Sequence, residues 1–224
     1  MNIDLILSSL PQLLSGAVLT VQLVALSLLL GLVLAVGVAM ARLSGFRPLS
    51  ALVGGYVFVF RSTPLLVQLF LIYYGIGQFE AVRDSVLWPF LREPYWCAIL
   101  ALTLNSAAYT GEIIRGGIRS VHFGQIEAAR SVGMSGFLLY RRIILPQAFR
   151  QALPAYGNEV IQMVQASSLA STITLMELTG AARAIAARTF QPVEVFVIAG
   201  AIYLILNTVL TKLVQHWERR LKHA

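Results

Sequence analysis

Apolar residues dominate five intervals of the chain, at about residues 13–41, 49–76, 95–114, 155–175 and 193–214, and polar residues collect between them. Each interval is long enough for a helix to cross a bilayer, which takes about 20 mainly apolar residues. The pattern predicts an all-α membrane protein with five transmembrane helices in a single domain over residues 1–224. Residues 1–12 are mildly amphipathic and end near Pro11, which suits a short interfacial helix. The second span contains Arg61 and Pro64 and is expected to bend there, because a proline frees a backbone carbonyl. Residues 77–94 read as a polar loop flanked by the interface aromatics Trp88, Tyr95 and Trp96. A second loop, through Arg183 and Arg188, leads to Pro192.

The longest polar interval, residues 115–150, has a pattern of its own. Residues 125–132 carry Ile126, Ala129 and Val132 at helical spacing, and Gly133 is a natural stop because glycine takes a left-handed cap without steric cost. Ser135 can cap a second short helix over residues 137–144, closed by Pro146. Two short helices around a glycine, with small Ala128 and Ala129 exposed for close approach, make a compact knob suited to docking another protein.

Charge sets the orientation. Only 12% of the residues are charged against 58% hydrophobic, so the net charge of +7 reads as a topology signal and not as a nucleic-acid footprint. Arg42, Arg47, Arg115, Arg119, Arg130, Arg141, Arg142, Arg150, Lys212, Arg219, Arg220 and Lys222 fall on one side. Only Arg83, Arg92, Arg183 and Arg188 fall on the other. The positive-inside rule then places the N-terminus outside, with the knob and the C-terminus in the cytoplasm. The N-terminus carries Asp4 in place of a basic region and does not read as a signal peptide. Cys97 is the single cysteine, which excludes an internal disulfide.

Candidate chemistry is sparse. The two lysines, Lys212 and Lys222, lie near no glycine loop, so the chain has no P-loop of its own. His122, His216 and His223 have no metal-site spacing. Gly133-Met134-Ser135-Gly136 matches the motif around an intramembrane protease serine, but no span supplies a histidine base, so no catalytic residue is assigned. The fourth span holds Asn158, Gln162 and Gln165 on one stripe, with Glu159 beside them. A charge at membrane depth costs about 2.5–3.5 kcal/mol and is normally matched. Glu159 is therefore either a substrate group or the buried partner of a cation such as Arg61. Arg61 itself is either a pathway residue or a side chain snorkelling to the headgroups. Glu112 and Arg115, three apart, can pair.

Read together, Glu127-Ala128-Ala129, then Gly133, then Ile143 and Leu145-Pro146 resemble the EAA loop of ATP-binding-cassette importer permeases, with all landmarks at the usual spacing. RSTPLLVQLFLIYYG (61–75), AAYTGEIIRGGI (107–118) and LPAYGNEVIQM (153–163) resemble the polar amino-acid permeases, and nearly the whole chain is covered. Residues 152–161 and 167–190 are most similar to subunits serving histidine, arginine, octopine and nopaline. The segment 165–169 departs from the lysine and threonine found near there in many relatives.

The resemblance implies a five-helix type I importer permease of the bacterial inner membrane. It implies pairing with an identical or sister permease, and two cytoplasmic ATPases that bind the ATP and Mg. It implies delivery by a periplasmic binding protein, and a basic amino acid or derivative as substrate. Glu127, Ala128, Ala129 and Gly133 would dock on the ATPase, with Ile143, Leu145 and Pro146 as the return brace. Asn158, Glu159, Gln162 and Arg61 are the candidate pathway residues. A stand-alone secondary transporter or channel is the chief alternative.

Overall fold

The computed structural model describes the backbone of residues 3–222 and the side chains of residues 5–220, so Asp4, Lys222 and His223 lie outside the described side chains. The described residues are helical almost throughout and contain no strand.

The first helix, α1 (Ile3–Leu43), runs unbroken through Pro11. The interfacial helix expected over residues 1–12 is therefore the first turns of the span. Helix α2 (Arg47–Ser62) stops at Thr63-Pro64, and α3 (Leu65–Phe70) continues through a π turn, Leu71–Gly75, and a 3-10 turn, Ile76–Gln78. The two limbs meet at 107°, a break and not a gentle kink. Short helices α4 (Glu80–Arg83) and α5 (Trp88–Leu91) occupy the expected polar loop. Then come α6 (Pro94–Arg119), α7 (Phe123–Ser131), α8 (Gly136–Leu139), α9 (Leu145–Ala166), α10 (Leu178–Thr189) and α11 (Pro192–Lys222).

Among the described residues, α1, α6 and α11 are long and apolar enough to cross a membrane, and the bent pair α2–α3 makes a fourth candidate. Helix α9 carries Asn158, Glu159, Gln162 and Gln165, which lowers its hydropathy, and it is not among them.

Helix α1 packs along α6, and α6 packs on α9. A Cβ on Gly111 of α6 would lie 2.5 Å from Val38 Cγ1 of α1, so glycine is what lets these two backbones approach. Three apolar clusters build the bundle. Leu23, Leu69, Cys97, Ala98, Ala170 and Ile173 form one; Val24, Leu102, Met163 and Val164 form another. The third joins Leu13 and Ala17 of α1 to Leu178, Ala182 and Ile185 of α10 and to Val195 of α11.

That third cluster corrects the expected loop through Arg183 and Arg188. The segment is the 12-residue helix α10, with Leu178, Ala181, Ala182, Ile185 and Ala186 on its buried face. Its start is fixed by Glu177, which is 0% exposed. Glu177 Oε2 accepts from Thr179 N at 2.9 Å and Oε1 from Gly180 N at 2.9 Å, while Tyr203 of α11 donates to Oε2 at 3.0 Å. Thr20 of α1 accepts from Leu178 N at 3.1 Å, so one carboxylate cap ties three helices together.

Candidate functional site: a polar cavity and a docking knob

The break at Pro64 exposes carbonyls that need donors, and two amides supply them. Gln68 Nε2 donates to Phe60 O at 2.8 Å, to Thr63 O at 3.1 Å and to Thr63 Oγ1 at 2.8 Å. Asn105 of α6 donates to Gln68 Oε1 at 3.0 Å and to Phe60 O at 3.4 Å. Phe60 O is the acceptor that a non-proline residue at position 64 would have satisfied through its own N–H. The bend is thus locked by a polar lattice, and Arg61-Ser62-Thr63-Pro64 becomes the wall of a cavity.

That cavity has a volume of about 810 Å³. Arg61 and Thr63 line it from the break, Asn105 and Tyr109 from α6, and Glu159, Gln162 and Gln165 from α9, with Ser168 just beyond. Glu159 is only 6% exposed. It forms no ion pair with Arg61 within 4.0 Å, although Arg61 across the cavity is the cation whose charge reaches it. The Arg61 guanidinium carbon lies 5.0 Å from the centre of the Tyr109 ring, and Tyr109 Oη donates to Arg61 O at 3.4 Å. This cation–π seat holds a positive group at the cavity instead of letting it snorkel away. A carboxylate and a guanidinium on one polar cavity, flanked by amides and a hydroxyl, suit a zwitterion. Asn158 is exposed but does not line the cavity.

Glu112 pairs with Arg115 as the spacing suggests, Arg115 Nε donating at 2.8 Å. It also accepts from Arg42 Nε at 3.3 Å, which sequence reading did not anticipate.

The knob forms around a small core of its own. Val121, Ala129, Leu139 and Ile144 are buried together, with Ile118, Ile126, Met134 and Ile143 against them. Glu127 and Ala128 are exposed on α7, whereas Ala129, expected outside with Ala128, is 6% exposed and faces this core. Val132 is exposed, because α7 has ended at Ser131. Gly133 stops the helix as expected, with φ at +85°, and Ser135 occupies the N-cap of α8 without a side-chain hydrogen bond to the cap. Pro146 does not close the second helix. It stands at the start of α9, directly after a π turn, Tyr140–Ile144, that carries the helix through from α8 and accommodates the proline. Gly133, Leu145 and Pro146 remain exposed. Ser135 has no histidine bonded to it, and His122 Nδ1 instead accepts from Gly124 N at 3.2 Å to cap α7.

Gln68, Asn105, Tyr109 and Glu177 were not singled out from the sequence. A polar residue inside an apolar run was the available signal for the first three. A Glu just before the Leu-Thr-Gly that opens a helix was the signal for Glu177.

The family described as "binding-protein-dependent transport system inner membrane component" matches residues 27–223. The nopaline transport system permease protein NocM of Agrobacterium fabrum is 59% identical over 96% of this chain and 89% of that protein. The octopine transport system permease protein OccM of Rhizobium radiobacter is 56% identical over 90% of this chain and 82% of its own length. The Escherichia coli K12 histidine/lysine/arginine/ornithine transport system permease protein HisM is 46% identical over 94% and 89%. A crystal structure of an amino acid ABC transporter with histidines superposes with a TM-score of 0.88 at 36% identity, covering 98% of this chain and all of that one. An inward-facing MetNI methionine ABC transporter shares the fold at a TM-score of 0.68 and 17% identity, over 99% of both chains. Helix order, the cavity at the Pro64 break and these matches agree: the chain belongs to the family of binding-protein-dependent transport system inner membrane components.

Proposed function

We propose that this chain is the permease subunit of an ATP-driven importer of basic amino acids or their opine derivatives. The observation that carries the substrate class is Glu159, buried on the polar cavity without a protein ion pair and facing the same space as Arg61. In this reading Glu159 takes the substrate's cationic group, Arg61 takes a carboxylate, and Gln162 lines the path, while Asn158 stays outside the cavity. The substrate classes in the names of the nopaline, octopine and HisM permeases support this charge pattern.

The chain itself carries out no bond chemistry. Two cytoplasmic ATPases bind the ATP and Mg, a periplasmic protein delivers the amino acid, and a second permease, identical or sister, completes the pathway. Helix α9 is the fifth crossing, placed where its polar face meets the pathway and not lipid. The N-terminus is periplasmic and the knob cytoplasmic. Glu127 and Ala128 dock in the ATPase, Ala129 and Ile143 hold the knob's core, Gly133 turns the chain, and Leu145-Pro146 lead back into α9. ATP-driven approach of the ATPases moves the knobs and rocks the bundle between inward- and outward-facing states.

The test is uptake into proteoliposomes holding the permease, its ATPase and its receptor. ATP-dependent accumulation of arginine, histidine or an opine is expected. Accumulation without ATP would instead make the protein a secondary transporter or channel.

A further inference from the structure

A second cavity, separate from the polar one but next to it along α6 and α9, lies between α1, α6 and α9. It has a volume of about 360 Å³, and its lining includes Val36, Ile114, Ile118, Leu145, Phe149 and Tyr156. Only Thr110 and Tyr156 in the whole lining carry a polar side-chain atom. Almost all of the lining surface is apolar, which suits an apolar occupant better than water.

Its length is informative. From Leu145 to Tyr156 along α9 the groove extends about 16 Å at the rise of a helix. One leaflet of a bilayer has about 15 Å of hydrocarbon. Along α9 the groove therefore runs from Leu145, beside the knob, to Tyr156, about one turn before Glu159.

The mouth is basic. Arg119 follows Ile118 at the last residue of α6, and Arg141 and Arg142 precede Leu145 by about one turn. All three are exposed, and none is in an ion pair among the described residues. A slot of one leaflet's depth, apolar along its walls and cationic at the opening, is complementary to one kind of molecule. We infer that this groove binds an anionic glycerophospholipid of the cytoplasmic leaflet, one acyl chain lying between α1, α6 and α9 and the phosphate resting on Arg119, Arg141 and Arg142. Juxtamembrane arginines near a surface are each worth about 1 kcal/mol toward anionic lipid, which is the origin of the preference. The lipid would pack against Leu145 and Phe149 at the foot of α9, next to the docking knob. The inference rests on the membrane orientation proposed above.

The permease–ATPase complex is purified, exchanged into dioleoyl phosphatidylglycerol or dioleoyl phosphatidylcholine, and examined by native mass spectrometry. Retained phosphatidylglycerol is expected, with a preference of about tenfold or more over the choline lipid. Joint replacement Arg119→Gln, Arg141→Gln and Arg142→Gln should abolish the preference while leaving acyl binding. Val36→Trp, on an exposed position of α1, should displace both lipids by filling the groove. Equal retention of the two lipids by the unaltered protein, or retention unchanged by Val36→Trp, would overturn the proposal. Another occupant, a second permease chain, is excluded or revealed by Val36→Cys in a Cys97→Ala background: a high-yield crosslink between copies overturns the lipid site. Lipid retention is read without substrate, receptor or ATP, so failure of the transport reading leaves a distinct signature.

Discussion

Glu159 is the residue on which the proposed selectivity turns. It sits in α9 with neither an arginine nor a lysine in ion-pair contact, in a chain whose other buried carboxylate, Glu177, is saturated by hydrogen bonds. Glu159→Gln keeps the shape and removes the charge. It is expected to raise KM for arginine uptake by about thirtyfold, the equivalent of about 2 kcal/mol, with ATPase docking unchanged. Uptake assays over a series of arginine concentrations check this, and unchanged KM returns Glu159 to a structural role. The polar stripe was legible from residues 158–165, but periodicity gives an angle around a helix and not where a cavity ends along it. That is why Gln162 and Gln165 reach the cavity and Asn158 does not. Ala129 was misread for a related reason. Its burial depends on Leu139 and Ile144 folding back on α7, a contact between separate helices.

At the scale of elements, Pro64 gave the bend expected of it, whereas Pro11 and Pro146 did not end their helices. Pro64 turns the chain by 107° because Gln68 and Asn105 satisfy the freed carbonyls, and that lattice is tertiary. Pro11 and Pro146 are absorbed, the latter by a π turn. Helix α10 escaped the hydropathy pattern because its inner face is built mainly from alanines, which carry little apolar signal. Its anchor gives a sharp test. Glu177→Ala removes the cap of α10, leaves the Thr179 and Gly180 amides without their acceptor, and is expected to cost about 2–4 kcal/mol. Thermal unfolding in detergent measures it, and Glu177→Gln should recover part of the loss. For the knob, Glu127→Lys reverses a charge on the exposed face of α7 without touching its core. Receptor-stimulated ATP hydrolysis and uptake should fall at least tenfold, while the protein still inserts and melts normally. Normal uptake by this variant would remove α7 from the docking surface.

At the scale of the whole molecule, apolar faces are left for lipid or for another subunit. Much of α11, including Leu204, Ile205, Val209 and Leu213, is uncovered. Arg61 and Glu159 reach one cavity only because α2, α6 and α9 are assembled around it, and a linear pattern does not encode that assembly. A permease pair on a pair of ATPases is the assembly expected, and the mass of the purified complex by light scattering checks that stoichiometry. A one-to-one complex would contradict the proposed pathway between two permeases.

One feature of the chain trace joins the two sites. From Gly136 to Ala166 the helix has no gap, since the π turn bridges α8 to α9. It is about 46 Å of continuous backbone, with the knob at one end and Glu159 near the other. The π turn and Pro154 are its points of compliance, but no break separates the two ends, so we expect them to be thermodynamically linked. Whatever docking at the knob does to substrate affinity, substrate in the cavity must do in equal measure to docking. An empty or filled cavity is then legible to the ATPase before any nucleotide is spent.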